Sequence, residues 1–293
     1  MRRLFLLSIV SGFVAMAACV YLGSNNSTVL GQTNRVSRTS SSAPLKPIAK
    51  YVPAAEANAS SLLNLSWTFG KPQTGWVVYV PLISHTIGTH AQPDSADFAA
   101  AVAGWQSKHG ITATGQINEE TLGAFIRQWQ SGRLHRGAPL TGELLTAPTS
   151  VFFDPSRSPE LRQLERGTYD AYRRMISAAA KDLAKTYRFT RAGETAESER
   201  FLKIVSAYRS PEYQAELRRK SPGSGTIALA KNSPHSTGRA LDLYVGGDPV
   251  STKDANRQIQ VETPAYKWLV ENAGRFGFVN YFYEPWHWEY VGK

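Results

Sequence analysis

The chain has 293 residues, 42% of them hydrophobic and 19% charged, which is ordinary globular composition and excludes wholesale disorder, collagen and a coiled-coil rod. A single Cys excludes a disulfide scaffold and a cysteine-based zinc site, so any metal must be held by His and carboxylates. The net charge of +10 divides unevenly: residues 1–50 hold six Lys/Arg and no acid, residues 51–150 five against six, and residues 151–293 22 against 17. With much of the excess in the leader and no stripe of Lys/Arg interleaved with aromatics, nucleic acid is not the expected partner.

Residues 1–22 read as an export signal. Arg2 and Arg3 precede an apolar core from Leu4 to Val14, and the small residues Ala15, Ala17 and Ala18 follow. Ala15-Met16-Ala17 fits a signal-peptidase site, whereas Met16-Ala17-Ala18-Cys19 has the form of a lipobox with Cys19 as the lipid carrier. An uncleaved anchor over Leu4 to Leu22 is the third route. All three place the rest of the chain outside the cytoplasmic membrane, in the periplasm or cell envelope. Membrane contact is then made only through this segment.

Residues 23–61 are rich in Ser, Asn, Thr, Ala and Pro and are expected to form a flexible tether. Residues 62–84 have no assigned role; within them, Trp76 to Pro81 is an apolar run of strand character. From 85 to 148 the pattern is helical. Phe98, Val102, Trp105 and Gln106 recur at helical spacing, Gly110 and Gly115 break the helix, and a second helix opens with Asn118 as cap and Glu119 and Glu120 at its positive end.

Beyond Pro148 the pattern becomes mixed. Ser158 and Pro159 are read as the start of a helix that continues through Tyr169, Tyr172, Ile176 and Leu183. Lys203 to Tyr208 reads as a buried strand and Ser210-Pro211 as another helix start, which leaves Arg209 at a strand-to-helix junction.

Two segments carry chemistry. In Ser233-Pro234-His235-Ser236-Thr237-Gly238-Arg239-Ala240-Leu241-Asp242 a strand begins at Ala240, and Asp242 needs a partner because an unpaired buried carboxylate is costly. A metal shared with His235 satisfies it, as does an Asp242–Arg239 pair or a buried hydrogen bond. In Glu284-Pro285-Trp286-His287-Trp288-Glu289-Tyr290, residues three apart in a regular strand would face opposite ways, so Glu284 and His287 meet only if the chain bends at Pro285. Trp286, Trp288 and Tyr290 then form the packed face.

Together these segments resemble the VanY-type zinc D-alanyl-D-alanine carboxypeptidases, whose fold is shared with D,D-dipeptidases, lysostaphin-like endopeptidases and the hedgehog signalling domain. The family pattern Ser-x-His-x-x-Gly-x-Ala-x-Asp spans Ser233 to Asp242, Glu-Pro-Trp-His-x-x-Tyr spans Glu284 to Tyr290, and Tyr-Arg-Ser stands at Tyr208-Arg209-Ser210. Residues 85–148 resemble the three-helix peptidoglycan-binding domains attached to wall hydrolases. The resemblance implies an α+β fold over residues 149–293, a small antiparallel sheet flanked by helices carrying one Zn2+ per chain, preceded by that helical module. It further implies His235, Asp242 and His287 as metal ligands and Glu284 as catalytic base. Arg209 would serve the developing oxyanion or a substrate carboxylate, unless it makes only a surface ion pair. Ser233 would hydrogen-bond substrate or hold the ligand loop. The implied activity is removal of terminal D-Ala from peptidoglycan stem peptides, with wall polymer as partner. A peptidoglycan endopeptidase and a non-catalytic wall-binding protein remain alternatives, and the loops Ser221 to Ser233 and Gly246 to Glu262 would shape the choice of bond.

Overall fold

A computed structural model describes residues 48–134, 142–220 and 233–292. The export signal, Cys19 and the loop 221–232 lie outside the described residues. Order begins within the segment expected to be a tether: helix α1, Val52–Asn64, follows a 3-10 turn, with Pro53 in its first turn and Ala54 and Ala55 packed on Ala99. Composition misled here because Ala is the strongest helix former and needs only a narrow surface to pack against.

Three more helices follow, α2 (Val80–Ile87), α3 (Ala96–Lys108) and α4 (Glu119–Ser131). The run expected as a strand at Trp76 to Pro81 is instead a 3-10 turn leading into α2, because Pro81 occupies a first-turn position where its missing N–H costs nothing. Ser95 caps α3 by accepting from the Phe98 N–H, and Asn118 caps α4 by accepting from the Thr121 N–H. Buried polar side chains then lock three of these helices, α1, α3 and α4. Asn58 of α1 donates to the Gly115 carbonyl at 2.9 Å and accepts from the Ile117 N–H at 2.7 Å, while Gln106 of α3 accepts from the Gly115 N–H and donates to Thr121. Gly115 has φ +77, and a Cβ there would stand 2.7 Å from the Ala99 carbonyl oxygen, so only glycine permits this approach.

Eight strands are described. β1 (Ser66–Phe69) pairs antiparallel with β2 (Lys71–Thr74), and β3 (Leu144–Thr146) with β4 (Gln163–Glu165). The main sheet is antiparallel in the order β5-β6-β8-β7, from β5 (Ile204–Ser206), β6 (Ala240–Leu243), β7 (Phe278–Asn280) and β8 (His287–Tyr290). Helices α5 (Arg166–Leu183), α6 (Pro211–Lys220), α7 (Asp254–Glu262) and α8 (Pro264–Asn272) flank it, an α+β arrangement. Ser158 and Pro159 start only one 3-10 turn, and α5 begins later because Glu165 caps it, accepting from the Thr168 N–H and hydroxyl.

Among the described residues, the helices before residue 148 number four and share a core with the sheet. Phe282, in the loop between β7 and β8, meets Phe69, Tyr79 and Trp129 with ring centroids 4.8, 5.5 and 6.0 Å away. Arg257 of α7, itself buried, donates to the Tyr79 hydroxyl at 2.9 Å. All described residues belong to one compact unit, with no break in packing at residue 148. No helix among them is long and apolar enough to cross a membrane.

Candidate metal centre

The site lies on one row of the sheet. Antiparallel register sets Ser206 of β5 opposite Asp242 of β6, and Asp242 opposite His287 of β8. His235 arrives from the 3-10 turn Pro234–Thr237 just before β6. That turn is capped by Ser233, whose hydroxyl accepts from the His235 N–H, and closes on Gly238 at φ +69, where a Cβ would strike Glu165 and Leu144 at 2.9 Å. Ser233 is buried and its hydroxyl is engaged by the His235 N–H.

Glu284 enters by the bend its sequence suggested. Its N–H donates to the Tyr281 carbonyl, and its own carbonyl accepts from the His287 N–H, so Glu284-Pro285-Trp286-His287 forms a turn with proline in the second position. Both side chains thereby come to one side of the sheet, with the Glu284 carboxylate 3.9 Å from His287 Nδ1. Trp286, Trp288 and Tyr290 pack into the core as expected.

Three donors form a nearly equilateral triangle. His235 Nε2 is 3.2 Å from Asp242 Oδ1 and 3.2 Å from His287 Nδ1, and His287 Nδ1 is 3.0 Å from the same carboxylate oxygen. Four ligands arranged tetrahedrally at zinc bond lengths of about 2.0–2.2 Å stand about 3.3–3.6 Å from one another. The donor set of two imidazoles and one carboxylate suits a metal such as zinc, with the three atoms standing a few tenths of an ångström closer together than in that arrangement. These three residues form the metal-capable cluster found among the described residues, and all are buried.

The far side of each candidate ligand is also fixed, as it is for metal-binding imidazoles. His235 Nδ1 lies 2.6 Å from the Ala207 carbonyl, and His287 Nε2 lies 3.1 Å from Glu289 Oε1. Asp242 Oδ2 accepts from Arg209, whose Nε donates to Ser206 at 2.9 Å. Arg209 thus pairs with a candidate ligand, taking the role that sequence reasoning offered to Arg239, which instead donates to the Gly292 carbonyl.

Electrostatics divides these groups. Burial pushes Glu284 up to about 7. Burial and the Arg209 charge push His235 down to about 4. Burial would raise Asp242, but His235 and Arg209 outweigh it and hold the carboxyl well below its usual range. His287 is driven the other way: burial alone would lower it, yet its bonds to Asp242 and Glu289 lift it to about 9. A proton on His287 thus supplies, between two carboxylates, the positive charge that a metal would bring.

Glu289 and Arg133 escaped sequence reasoning. Glu289 stands two residues after His287 and so shares its strand face, a period-two signal available in the sequence. Arg133 lies 156 residues earlier, with no local signal linking it to the site.

Residues 162–293 match the family model described as VanY, D-alanyl-D-alanine carboxypeptidase. The chain is 29% identical over 161 residues to the Bacillus subtilis (strain 168) protein YodJ, itself designated a carboxypeptidase by inference; the match covers 49% of this chain and 52% of YodJ. It therefore spans about half the length of that curated relative. Among solved structures, that of the LdcB LD-carboxypeptidase, reported as revealing the molecular basis of peptidoglycan recognition, is 24% identical with a TM-score of 0.37, covering 55% of this chain and 73% of that one. Both segments that carry the candidate site, Ser233 to Asp242 and Glu284 to Tyr290, lie inside the stretch that matches the VanY carboxypeptidase model.

Proposed function

We propose that the chain is a zinc-dependent peptidoglycan hydrolase, a carboxypeptidase that removes the terminal D-Ala from stem peptides ending in D-Ala-D-Ala. The observation that carries this reading is the triangle of His235, Asp242 and His287 donors with the Glu284 carboxylate beside it. His235, Asp242 and His287 would hold one zinc ion. When bound, zinc would lower the pKa of a water and polarise the scissile carbonyl. Glu284 takes a proton from the attacking water and passes it to the leaving amine; its buried setting, which weakens its acidity, suits both transfers. Arg209 keeps Asp242 ionised and sets a cation at the site edge, its side chain 11% accessible, where a developing oxyanion or a substrate's terminal carboxylate would meet it. Ser233 holds the ligand loop. Such a substrate requires export to the cell envelope, in keeping with the expected leader, and the resemblance of residues 85–148 to wall-binding modules supports wall polymer as the partner of the helical segment.

The test is hydrolysis of a soluble muropeptide pentapeptide followed by mass spectrometry, using zinc-loaded protein, chelated protein and Glu284→Gln. The expected result is one zinc per chain, loss of a single D-Ala, and no hydrolysis after chelation. Glu284→Gln should keep its zinc and lose kcat by about 100-fold or more. Undiminished hydrolysis after complete metal removal overturns the reading; cleavage confined to internal bonds transfers the site to an endopeptidase.

A further inference from the structure

We propose that the helical segment completes the metal centre: Arg133, just beyond the end of α4, fixes Glu289, and Glu289 fixes the imidazole of His287. This rests on the reading of His287 as a metal ligand. Glu289 is fully buried, between His287 and the segment that follows α4. Its Oε1 faces His287 Nε2 at 3.1 Å and accepts from Arg133 Nε at 3.0 Å and from Arg133 Nη2, while Oε2 accepts from the Leu134 N–H at 2.9 Å.

Arg133 is held in turn. Its Nη1 donates to Gln130 at 2.9 Å, and its guanidinium lies 3.9 Å from the centre of the Tyr281 ring, whose edge-on neighbour is His287. The fork can serve one carboxylate oxygen twice while stacking on an aromatic face, which an ammonium cannot do. Two consequences follow from this chain of contacts. The carboxylate obliges His287 to present Nδ1, the nitrogen that belongs to the ligand triangle, because Nε2 is committed to Glu289. A carboxylate so deeply buried also needs a permanent cation, and that cation comes from a part of the chain outside the stretch matched to the carboxypeptidase family. Arg133 and Glu289 are accordingly positioning residues, which touch the metal only through His287.

The experiment is zinc competition against a chelator of known affinity, on the full chain, for wild type, Glu289→Gln, Arg133→Met, Arg133→Lys and the Glu289→Gln/Arg133→Met double variant. Visible spectra of the cobalt-substituted proteins and circular dichroism of the metal-free forms accompany it. Glu289→Gln and Arg133→Met should each retain a one-zinc endpoint and weaken zinc binding about 10- to 100-fold, with altered cobalt spectra. Arg133→Lys should fall between them and wild type. The double variant should be no weaker than the worse single one, because Arg133 acts through Glu289. A purely structural link would lower thermal stability and leave zinc affinity and the cobalt spectrum as in wild type; that result in a folded Glu289→Gln overturns the proposal. Should Glu289→Gln fail to fold, wild-type affinity in Arg133→Lys overturns it equally. Wild-type protein that takes up no zinc would instead overturn the metal-site reading itself, an outcome separable from the first because it appears before any substitution is made.

Discussion

Asp242 and His287 occupy directly opposed positions of the β6–β8 pair, and His287 Nδ1 stands 3.0 Å from Asp242 Oδ1. Strand register alone thus brings together two proposed ligands 45 residues apart, and only His235 depends on a turn for its place. Substituting His235 or His287 by Ala should abolish the one-zinc endpoint, measured by elemental analysis after dialysis. Asp242→Asn should weaken zinc binding and also release Arg209, so it should lower the melting temperature of the metal-free protein as well. A full zinc load in either histidine variant would remove the triangle from consideration as the metal site.

Proton competition gives a second prediction. Zinc requires a neutral His287, whereas in the metal-free protein its bonds to Asp242 and Glu289, overcoming the effect of burial, raise it to about 9. His235, lowered to about 4 by burial and Arg209, is already neutral at pH 6. Zinc uptake between pH 6 and 8 should therefore displace about one proton from the triangle, and affinity should rise about tenfold per pH unit, levelling off near pH 9. Stability of the metal-free protein should run in the opposite direction. His287 binds its proton more tightly folded than unfolded, so its contribution is complete below about 6.5 and lost as pH rises through 9. Glu284, raised by burial to about 7, loses its contribution earlier, between about 4.5 and 7. Glu289 is lowered to about 2, because His287 and Arg133 outweigh burial, and it stays ionised throughout this window. Melting temperatures of chelated protein that rise from pH 6.5 to 9 would contradict these assignments.

On the proposed function, Arg209 bears on which bond is cut. Its Nη2 serves Asp242 and its Nε serves Ser206, so its guanidinium plane is fixed relative to the site. Arg209→Lys replaces a planar fork by a point charge and should raise KM for a stem ending in free D-Ala-D-Ala about tenfold, with a smaller fall in kcat. The C-terminal amide of the same stem should be a poor substrate for wild type. Equal rates on acid and amide would assign Arg209 to the oxyanion and the enzyme to internal bonds.

The candidate centre was legible chiefly through the family resemblance, which named His235, Asp242, His287 and Glu284 together. Local spacing alone left Asp242 open between a metal, an Arg239 pair and a buried hydrogen bond, and brought Glu284 to His287 only if the chain bent at Pro285. What the sequence concealed is long-range or depends on packing. Arg209 and Asp242, 33 residues apart, pair across β5 and β6, displacing the nearer Arg239. The α1 helix hides in a composition that reads as tether, since its Ala54 and Ala55 become informative only once Ala99 is known to face them. The shared core was hidden for the same reason: Trp129 fits an amphipathic stripe equally well in a free-standing helical module and in one that rests on Phe282.

That shared core yields the last prediction. If residues 85–148 served only as a wall anchor, their removal would reduce activity on intact sacculi through lost local concentration and leave a soluble pentapeptide almost unaffected. The structure instead packs Tyr79 and Trp129 on Phe282, two residues before Glu284, and passes a buried charge from Arg133 to Glu289. Residues 150–293 alone would expose that aromatic surface and leave the Glu289 carboxylate without its cation. The truncated chain should therefore lose activity on both substrates to a similar extent, by about 100-fold or more, and should show early thermal unfolding. Phe282→Ala in the full chain probes the same junction without deleting anything: a cavity in the core should cost about 3–5 kcal/mol of stability. Because Phe282 lies in the loop that carries Glu284, kcat on the soluble pentapeptide should fall as well. A truncated chain that cleaves the pentapeptide at the full rate would show that the carboxypeptidase domain holds Glu284 and His287 in place without the helices packed on it.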